Sequence, residues 1–446
     1  MASTYLQRTT GTPTLGTKCT VSFWWKNSEG KPSGGSDRVI FGTETTADCY
    51  IYLRNTGELG LYQASTGGFD FRTSRLITDC SAWYHICFTF DSTLSTSADR
   101  IKIYINGVRE TAFNASTTMA QNATIRLNEA SKVINIGGGF NQNMNGLLSH
   151  INFIDGTAYD ASAFGSTDAT TGEWQINTSP SVTYGNNGFF ILKDGNSVTD
   201  QSGNSNNFTV GAGTLTKTES SPSNVFATAN PNDVMKGSAG ILKPTFSNGN
   251  LTLSSSAGNN YQTFGTIAVD TGKYYWETKA TDCDGHRVGV FFGNNKVHGG
   301  TYYYGANAFY IHQNGQIYYN GANTVYMSSL SDGDIVGVAL DRTNGHIYLH
   351  KNGQYADGNG NNNQTFANAV SINTKLGVTM PSDITFPFFD VYGTAIMDIN
   401  FGNGYFGTTA VATNSGNGYA GAEGSSIFNY QPPTGYSALS TKGLNL

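Results

Sequence analysis

Three groups of side chains in this sequence have types and spacing suited to chemistry. The first is oxygen-rich: Asp282-Cys283-Asp284-Gly285 and Asp200-Gln201-Ser202-Gly203-Asn204. Calcium gathers about six to eight carboxylate and carbonyl oxygens, and such loops supply them. Neither segment matches the full EF-hand loop, so each also reads as an ordinary turn, with calcium on Asp200, Asp282 and Asp284 as the alternative. The second group is aromatic. Tyr302-Tyr303-Tyr304 follows Gly299-Gly300 and precedes Phe309-Tyr310. Strand faces alternate, so three consecutive tyrosines cannot all enter one core. Tyr302, Tyr303, Tyr304 and Tyr310 are therefore candidate ligand-binding residues, because tyrosine beside Asn and Gly suits sugar rings and protein surfaces. The competing reading is stacking within a sheet or an oligomer contact. The third group is seven histidines, with His346 and His350 spaced i, i+4. On a strand that spacing is about 13 Å, too far for one metal. His85 and His150 sit inside apolar strand patterns.

Catalytic patterns are scarce. The sequence holds no GxxxxGK[ST], HExxH, GxSxG or CxxC. GxGxxG occurs at Gly402–Gly407 and Gly416–Gly421, but neither opens a helix, which a dinucleotide pyrophosphate needs. A sandwich glycosidase would carry closely spaced carboxylates on one strand. Glu277 stands alone, and Asp390 and Asp398 fall on separate strands. No catalytic residue is expected, and a polysaccharide-degrading enzyme is only a minor alternative.

The elements that must position these residues read as strands. Period-2 or apolar runs include Cys19–Trp25, Arg38–Phe41, Cys49–Leu53, Leu59–Gln63, Trp83–Phe90, Ile101–Ile105, Val133–Ile136, Gly146–Ile154 and Gly188–Leu192. Asn106-Gly107 is a strong hairpin signal, since both positions accept positive φ. A second block carries Lys273–Lys279, Arg287–Phe292, Ala308–His312, Gln316–Tyr319, Ile335–Leu340, His346–His350, Thr385–Val391 and Ile396–Phe401. Between the blocks the pattern decays into Ser, Asn, Gly and Thr with Pro222, Pro231 and Pro244. The expected domains are residues 1–222, a linker at 223–245, residues 246–405, and a Gly/Ser/Thr-rich C-terminal arm at 406–446. No helix of any length is expected. IKIYINGV, IYYNGA and HIYLHKNGQ each end a strand in Asn-Gly, through convergent hairpin chemistry or through kinship of the two blocks.

Composition narrows the class. The chain has 446 residues, enough for two or three domains of about 150 each. Only 13% are charged and another 13% are aromatic, which points away from long solvated helices and toward all-β. The net charge is −6 with 25 Lys and Arg and no basic cluster, so nucleic acid is not an expected partner. No apolar run reaches the length of about 18 that a membrane span needs, and MASTYLQRTTG has no signal core. Five scattered cysteines are too few for a disulfide scaffold. Free thiols in a reducing cytosol are the expectation, with a single Cys19–Cys80 or Cys49–Cys87 bond left open.

Particular strings carry a resemblance. TYLQRT, TVSFWWK, SAWYHICFTFD, DRIKIYINGV and the long run from Asn145 to Gln175, INFIDG…FGSTDATTGEW included, resemble laminin-G/concanavalin-like domains of phage and marine viral structural proteins. GKYYWETKA, VGVFF, GDIVGVALDRTNGHIYLHKNGQ and FPFFDVYG…DINFG resemble a SPRY domain, in which Trp276 would be core. PPTGYSALSTKGLN is similar to the close of the same viral proteins. The resemblance implies two concanavalin-like jelly-roll sandwiches that bind and do not catalyse. It implies a tailed-phage virion protein, a tail or surface fibre contacting a host-surface glycan or protein receptor through sandwich-end loops. Other virion proteins would be partners, and a homo-oligomer, trimeric by analogy, would be its state. A capsid or tail decoration protein is the rival. Assembly in the host cytoplasm would suit free thiols. No cofactor beyond calcium is expected.

Overall fold

The computed structural model describes residues 4–445 except 33, 45–47, 65–67, 140–141, 194, 196, 235, 238–239, 242, 257, 294–306 and 412–417. The chain divides into two units, Met1–Lys217 with Ser221–Ser223, and Thr218–Ser220 with Asn224–Leu446. Each is an antiparallel two-sheet β-sandwich, and the longest described helix is the five-residue Ile372–Leu376.

In the first unit an eight-stranded sheet runs, edge to edge, Phe113–Thr117, Phe69–Leu76, Glu58–Gln63, Cys49–Leu53, Arg38–Thr43, Val133–Ile136, Tyr5–Thr9, Thr209–Ala212. Its partner sheet runs Phe189–Ile191, Gly146–Asp155, Lys18–Asn27, Tyr84–Asp91, Ile101–Ile105, Val108–Arg109. The inward positions of both, such as Phe23, Phe41, Ile51, Leu61, Phe88 and Phe153, form one core. Alternation explains the choice: in CYIYL, Cys49, Ile51 and Leu53 face in and the tyrosines face out. The predicted Asn106-Gly107 turn is present, with φ of 48° and 76°. The outer face of the six-stranded sheet is covered by residues 157–186. There Trp174 of the Gly165–Thr167/Trp174–Ile176 hairpin stacks on His85 at 5.7 Å, and a Cβ at Gly107 would lie 2.3 Å from its ring. The segment ending in Gly172-Glu173-Trp174 is thus a strap over the sheet.

In the second unit a seven-stranded sheet runs Ala229–Val234, Tyr261–Gly265, Thr385–Val391, Arg287–Phe292, Ala308–His312, Gln316–Tyr319, Ala322–Val325. The facing sheet is centred on Lys273–Asp282, between Ile335–Asp341 and Ile396–Asn400. Trp276 is fully buried in the core between the sheets. Residues 229–234, inside the stretch read from sequence as linker, are the edge strand of this unit.

The C-terminal stretch is loop-rich, as its composition predicts, and of the two forms open to its last dozen residues, an extended arm or a closing strand, it takes the strand. Ser437–Ala438 pairs in parallel with Tyr274–Tyr275, extending the sheet where Ile396–Asn400 ends. Phe428, Tyr436 and Leu439 enter the core. One side chain organises this. Glu277 is fully buried, and its carboxylate accepts from the N–H of Asn429 (2.9 Å) and Tyr430 (2.7 Å), from Asn400 Nδ2 (3.1 Å) and from the Tyr275 hydroxyl (3.0 Å). His350 completes the chain. The Gly353 N–H donates to its Nδ1, so Nε2 carries the proton and donates to the Tyr275 oxygen at 2.6 Å. Burial keeps that imidazole neutral by lowering its pKa to about 3. Burial also outweighs the donated hydrogen bonds at Glu277 and raises its pKa to about 7.

A raised carboxyl pKa means that the fold binds more protons than the unfolded chain. Stability from this group is complete below the ordinary glutamate value and is lost as pH rises through about 7. Urea midpoints taken across that window will therefore fall with pH, and Glu277→Gln will flatten the dependence. Glu277→Ala leaves two backbone N–H groups buried without an acceptor. It will cost about 3 kcal/mol or more and open the segment around Asn429 to limited proteolysis.

Candidate functional site

The sequence-predicted residues do not come together. Tyr302, Tyr303 and Tyr304 lie outside the described residues. Tyr310, expected near an exposed loop, is a mid-strand residue with 2% exposure. Pairing on both sides holds it against Tyr318 (5.2 Å, interplanar 4°) and Phe388 (5.7 Å), so its ring has no face for a ligand. Asp200 has both oxygens committed, to its own turn and to the strand Phe189–Ile191. It accepts from the N–H groups of Phe190 (2.8 Å), Ser202 (2.9 Å) and Asn206 (2.8 Å) and from the Ser202 hydroxyl (2.8 Å). Asp282 accepts from the Asp284 N–H and the Thr394 hydroxyl, both at 3.1 Å, and Asp284 from the Thr394 N–H at 3.4 Å. These carboxylates shape turns. Among the described residues no group of three or more His, Cys, Asp or Glu side chains is placed to hold a metal ion. The buried histidines are also dispersed: His85 meets Ser22 Oγ at 2.9 Å and His286 meets Thr278 Oγ1 at 3.2 Å. All five cysteines are buried free thiols.

A different surface has the character of a recognition site: the outward face of the eight-stranded sheet. Alternation in CYIYL, ELGLYQ and FDFR turns Tyr50, Tyr52, Gly60, Tyr62, Asp70 and Arg72 outward on three adjacent strands. Strand register aligns them. Tyr50 lies opposite Gly42 and Tyr62, and Tyr62 opposite Asp70. The same row continues through Asn135, which pairs with Gly42, to Gln7. In the next row Tyr52 lies opposite Gly60, and Gly60 opposite Arg72.

The glycines set the tyrosines. A Cβ at Gly60 would fall 2.2 Å from the Tyr52 ring, one at Gly42 2.6 Å from the Tyr50 Cβ, and one at Gly211 2.2 Å from the Tyr5 ring. The rings of Tyr52 and Tyr5 therefore pack down on bare cross-strand backbone, and Gly42 admits the close approach of the Tyr50 backbone. The Tyr50 centroid is 5.2 Å from that of Tyr52 and 5.3 Å from that of Tyr62. Tyr50 and Tyr62 remain half-exposed. Partial burial first, and the neighbouring Tyr62 phenol next, push the Tyr50 pKa up to about 12, so the phenol stays a neutral donor. Asp70 and Arg72 pair at 3.4 Å and cancel in charge. Three buried polar atoms on this face have no hydrogen-bond partner: Asn135 Oδ1, Asp70 Oδ1 and Arg72 Nε. Beyond Gln7 lies an open cleft of about 310 Å³ whose walls include Thr9, Glu44, Asn207 and Thr209. Sequence reading recognised two of these strands and their alternation, yet had no means of telling which face meets solvent.

A family model described as the concanavalin A-like lectin/glucanases superfamily, laminin G type, matches residues 2–162. Among solved structures the chain is similar to the SPRY domain of human HERC1, with 19% identity, covering 38% of this chain and 96% of that one, at a TM-score of 0.30. The TRIM65 PSpry domain gives 14% identity, 39% and 91% coverage, and a TM-score of 0.29. A heptameric SAP-like pentraxin from Limulus polyphemus gives 20% identity, 34% and 70% coverage, and a TM-score of 0.25. A comparison with curated proteins finds no match.

The glycine–tyrosine packing is directly testable. Gly60→Ala meets only the ring of Tyr52, which can swing away, whereas Gly42→Ala meets the Cys49 carbonyl and the Tyr50 Cα as well. Thermal unfolding should therefore show Gly42→Ala as the more damaging, by about 1–3 kcal/mol against less than that for Gly60→Ala.

Proposed function

We propose that this chain is a non-enzymatic component of a tailed-phage virion, a tail or surface fibre that binds a receptor on the host surface. The virion half of the reading rests on the Asn145–Gln175 and Pro432–Asn445 strings and their resemblance to viral structural proteins. The binding half is carried by one observation: an outward sheet face that sets the half-exposed rings of Tyr50 and Tyr62 side by side, with centroids 5.3 Å apart. Five buried thiols fit a chain that folds and assembles in a reducing host cytoplasm. No described helix is long and apolar enough to cross a membrane.

A second reading, a capsid or tail decoration protein, has its own observation. The sheet-edge strands Thr209–Ala212 and Ala322–Val325 expose Val210 (44%) and Val325 (48%), and open edges invite pairing between chains.

Electron cryomicroscopy of intact particles separates the two. The fibre reading expects a few copies projecting from the tail, and purified chain that competes with phage for adsorption to host cells. Many copies lying along the capsid lattice, with no competition for adsorption, would overturn it and favour decoration.

A further inference from the structure

We infer that Asn320-Gly321 is a self-modification site, at which the folded chain converts its own asparagine to aspartate or isoaspartate in water. The inference stands apart from the receptor-binding reading.

The chemistry needs no reactant but water. The Gly321 nitrogen attacks the side-chain carbonyl carbon of Asn320 and gives up its proton. The bond from that carbon to the amide nitrogen breaks, and the nitrogen leaves as ammonia. A succinimide ring remains, and water opens it. Addition at the side-chain carbonyl leaves an ordinary aspartate. Addition at the main-chain carbonyl leaves isoaspartate, whose backbone runs through the side-chain methylene. Glycine in second place favours the attack, because no Cβ shields its nitrogen.

The sequence holds eleven Asn-Gly pairs, and ten fall among the described residues. The fold restrains nine of these. In seven the side-chain amide itself is held. Asn106 Oδ1 accepts from the His85 N–H at 2.8 Å, and Asn187 Oδ1 from the Gly11 N–H at 2.7 Å. Asn352 is fixed at both ends, by the Ile335 N–H and by Asp334. Asn314 and Asn403 accept from backbone N–H groups, while Asn248 and Asn344 donate to Thr252 and Asp341. The other two are restrained through the backbone. The Ser28 N–H donates to the Asn145 carbonyl, beside the register pair Gly146 and Asn27. Gly360 gives the N–H that would attack Asn359 to the Tyr326 carbonyl.

Asn320 has neither restraint. It is exposed, and among the described residues no group bonds its amide and none accepts from the Gly321 N–H. A Cβ at Gly321 would meet nothing within 4 Å, whereas one at Gly107, in the related turn, would run into the Trp174 ring. The pair makes the two-residue turn between Gln316–Tyr319 and Ala322–Val325, with φ of 51° and 77°. Ring closure requires the backbone to leave this left-handed turn. That opening costs least at a hairpin tip whose second strand is the edge of its sheet. The product places a negative charge at the tip. Isoaspartate also lengthens a turn whose two residues set the Tyr319–Ala322 register, so the edge strand loosens as the chain ages.

Ageing the full chain in mildly alkaline buffer made with heavy-oxygen water tests this, with peptide mapping by mass spectrometry at intervals. Backbone fragmentation separates aspartate from isoaspartate. Label should enter at Asn320 about tenfold faster than at any other described Asn-Gly pair. In urea, where the fold restrains none of them, that lead should vanish. Asn320→Gln should remove the label from its peptide. Amide hydrogen exchange at Ala322–Val325 should be faster in the isoaspartyl fraction than in fresh chain. The inference is overturned if another described pair reacts first or if Asn320 reacts no faster than the rest. A lead that persists unchanged in urea overturns it too, because the fold would then not be what selects the site. Unchanged exchange at Ala322–Val325 would overturn the loosening of the edge. None of these outcomes bears on host adsorption, so the fibre reading is tested separately.

Discussion

The second unit depends on an acid with no solvent. Glu277 sits on the central strand of its sheet, and four donors converge on it from one flanking strand, its own strand and the C-terminal stretch. Isolated, a carboxyl at that depth would destabilise the fold. Surrounded by Asn400, Tyr275, Asn429 and Tyr430, it becomes the point that ties residues 429–430 to the sheet. That attachment lets Phe428 and Tyr436 close the core and lets Ser437–Ala438 extend the sheet alongside Tyr274–Tyr275. The cost is a proton affinity near neutrality in a group that is ionised when exposed.

The first unit is organised by alternation and by its glycines. Inward positions are apolar almost without exception, and the two outer faces are treated differently. One is closed by the strap that lays Trp174 over Gly107 and His85. The other keeps Tyr50 and Tyr62 half-exposed beside Tyr52, whose ring is seated on Gly60. A chain with so few charged residues must hydrate its surface with amides, hydroxyls and phenols.

Much of the strand pattern was legible. Lys273–Lys279, Arg287–Phe292 and Ile101–Ile105 appear as expected because their short apolar or alternating runs are rich in β-branched and aromatic residues. Phe69–Leu76 and Phe113–Thr117 were missed, because their polar, Ser- and Thr-containing runs read as loop without the neighbours that pair them. Asp200, Asp282 and Asp284 left calcium open as the alternative to a turn because sequence shows oxygen count and not where the lone pairs are spent; Asp200 spends its own on its turn and on Phe190, and Asp282 and Asp284 on their turn and on Thr394. Tyr310 falls in the expected strand Ala308–His312, whose sequence does not say that its second face is covered as well.

What the sequence determined by itself is what short-range chemistry controls: an all-β chain, strand positions set by side-chain period and hairpins set by Asn-Gly, though not the short helix Ile372–Leu376. Tertiary structure alone decided which face of each strand is solvent, that Tyr50, Tyr52 and Tyr62 share one surface, and that Glu277 meets residues more than a hundred positions away. These depend on register between distant strands. Register is chosen by the summed packing of a whole sheet, and no local run of residues encodes it.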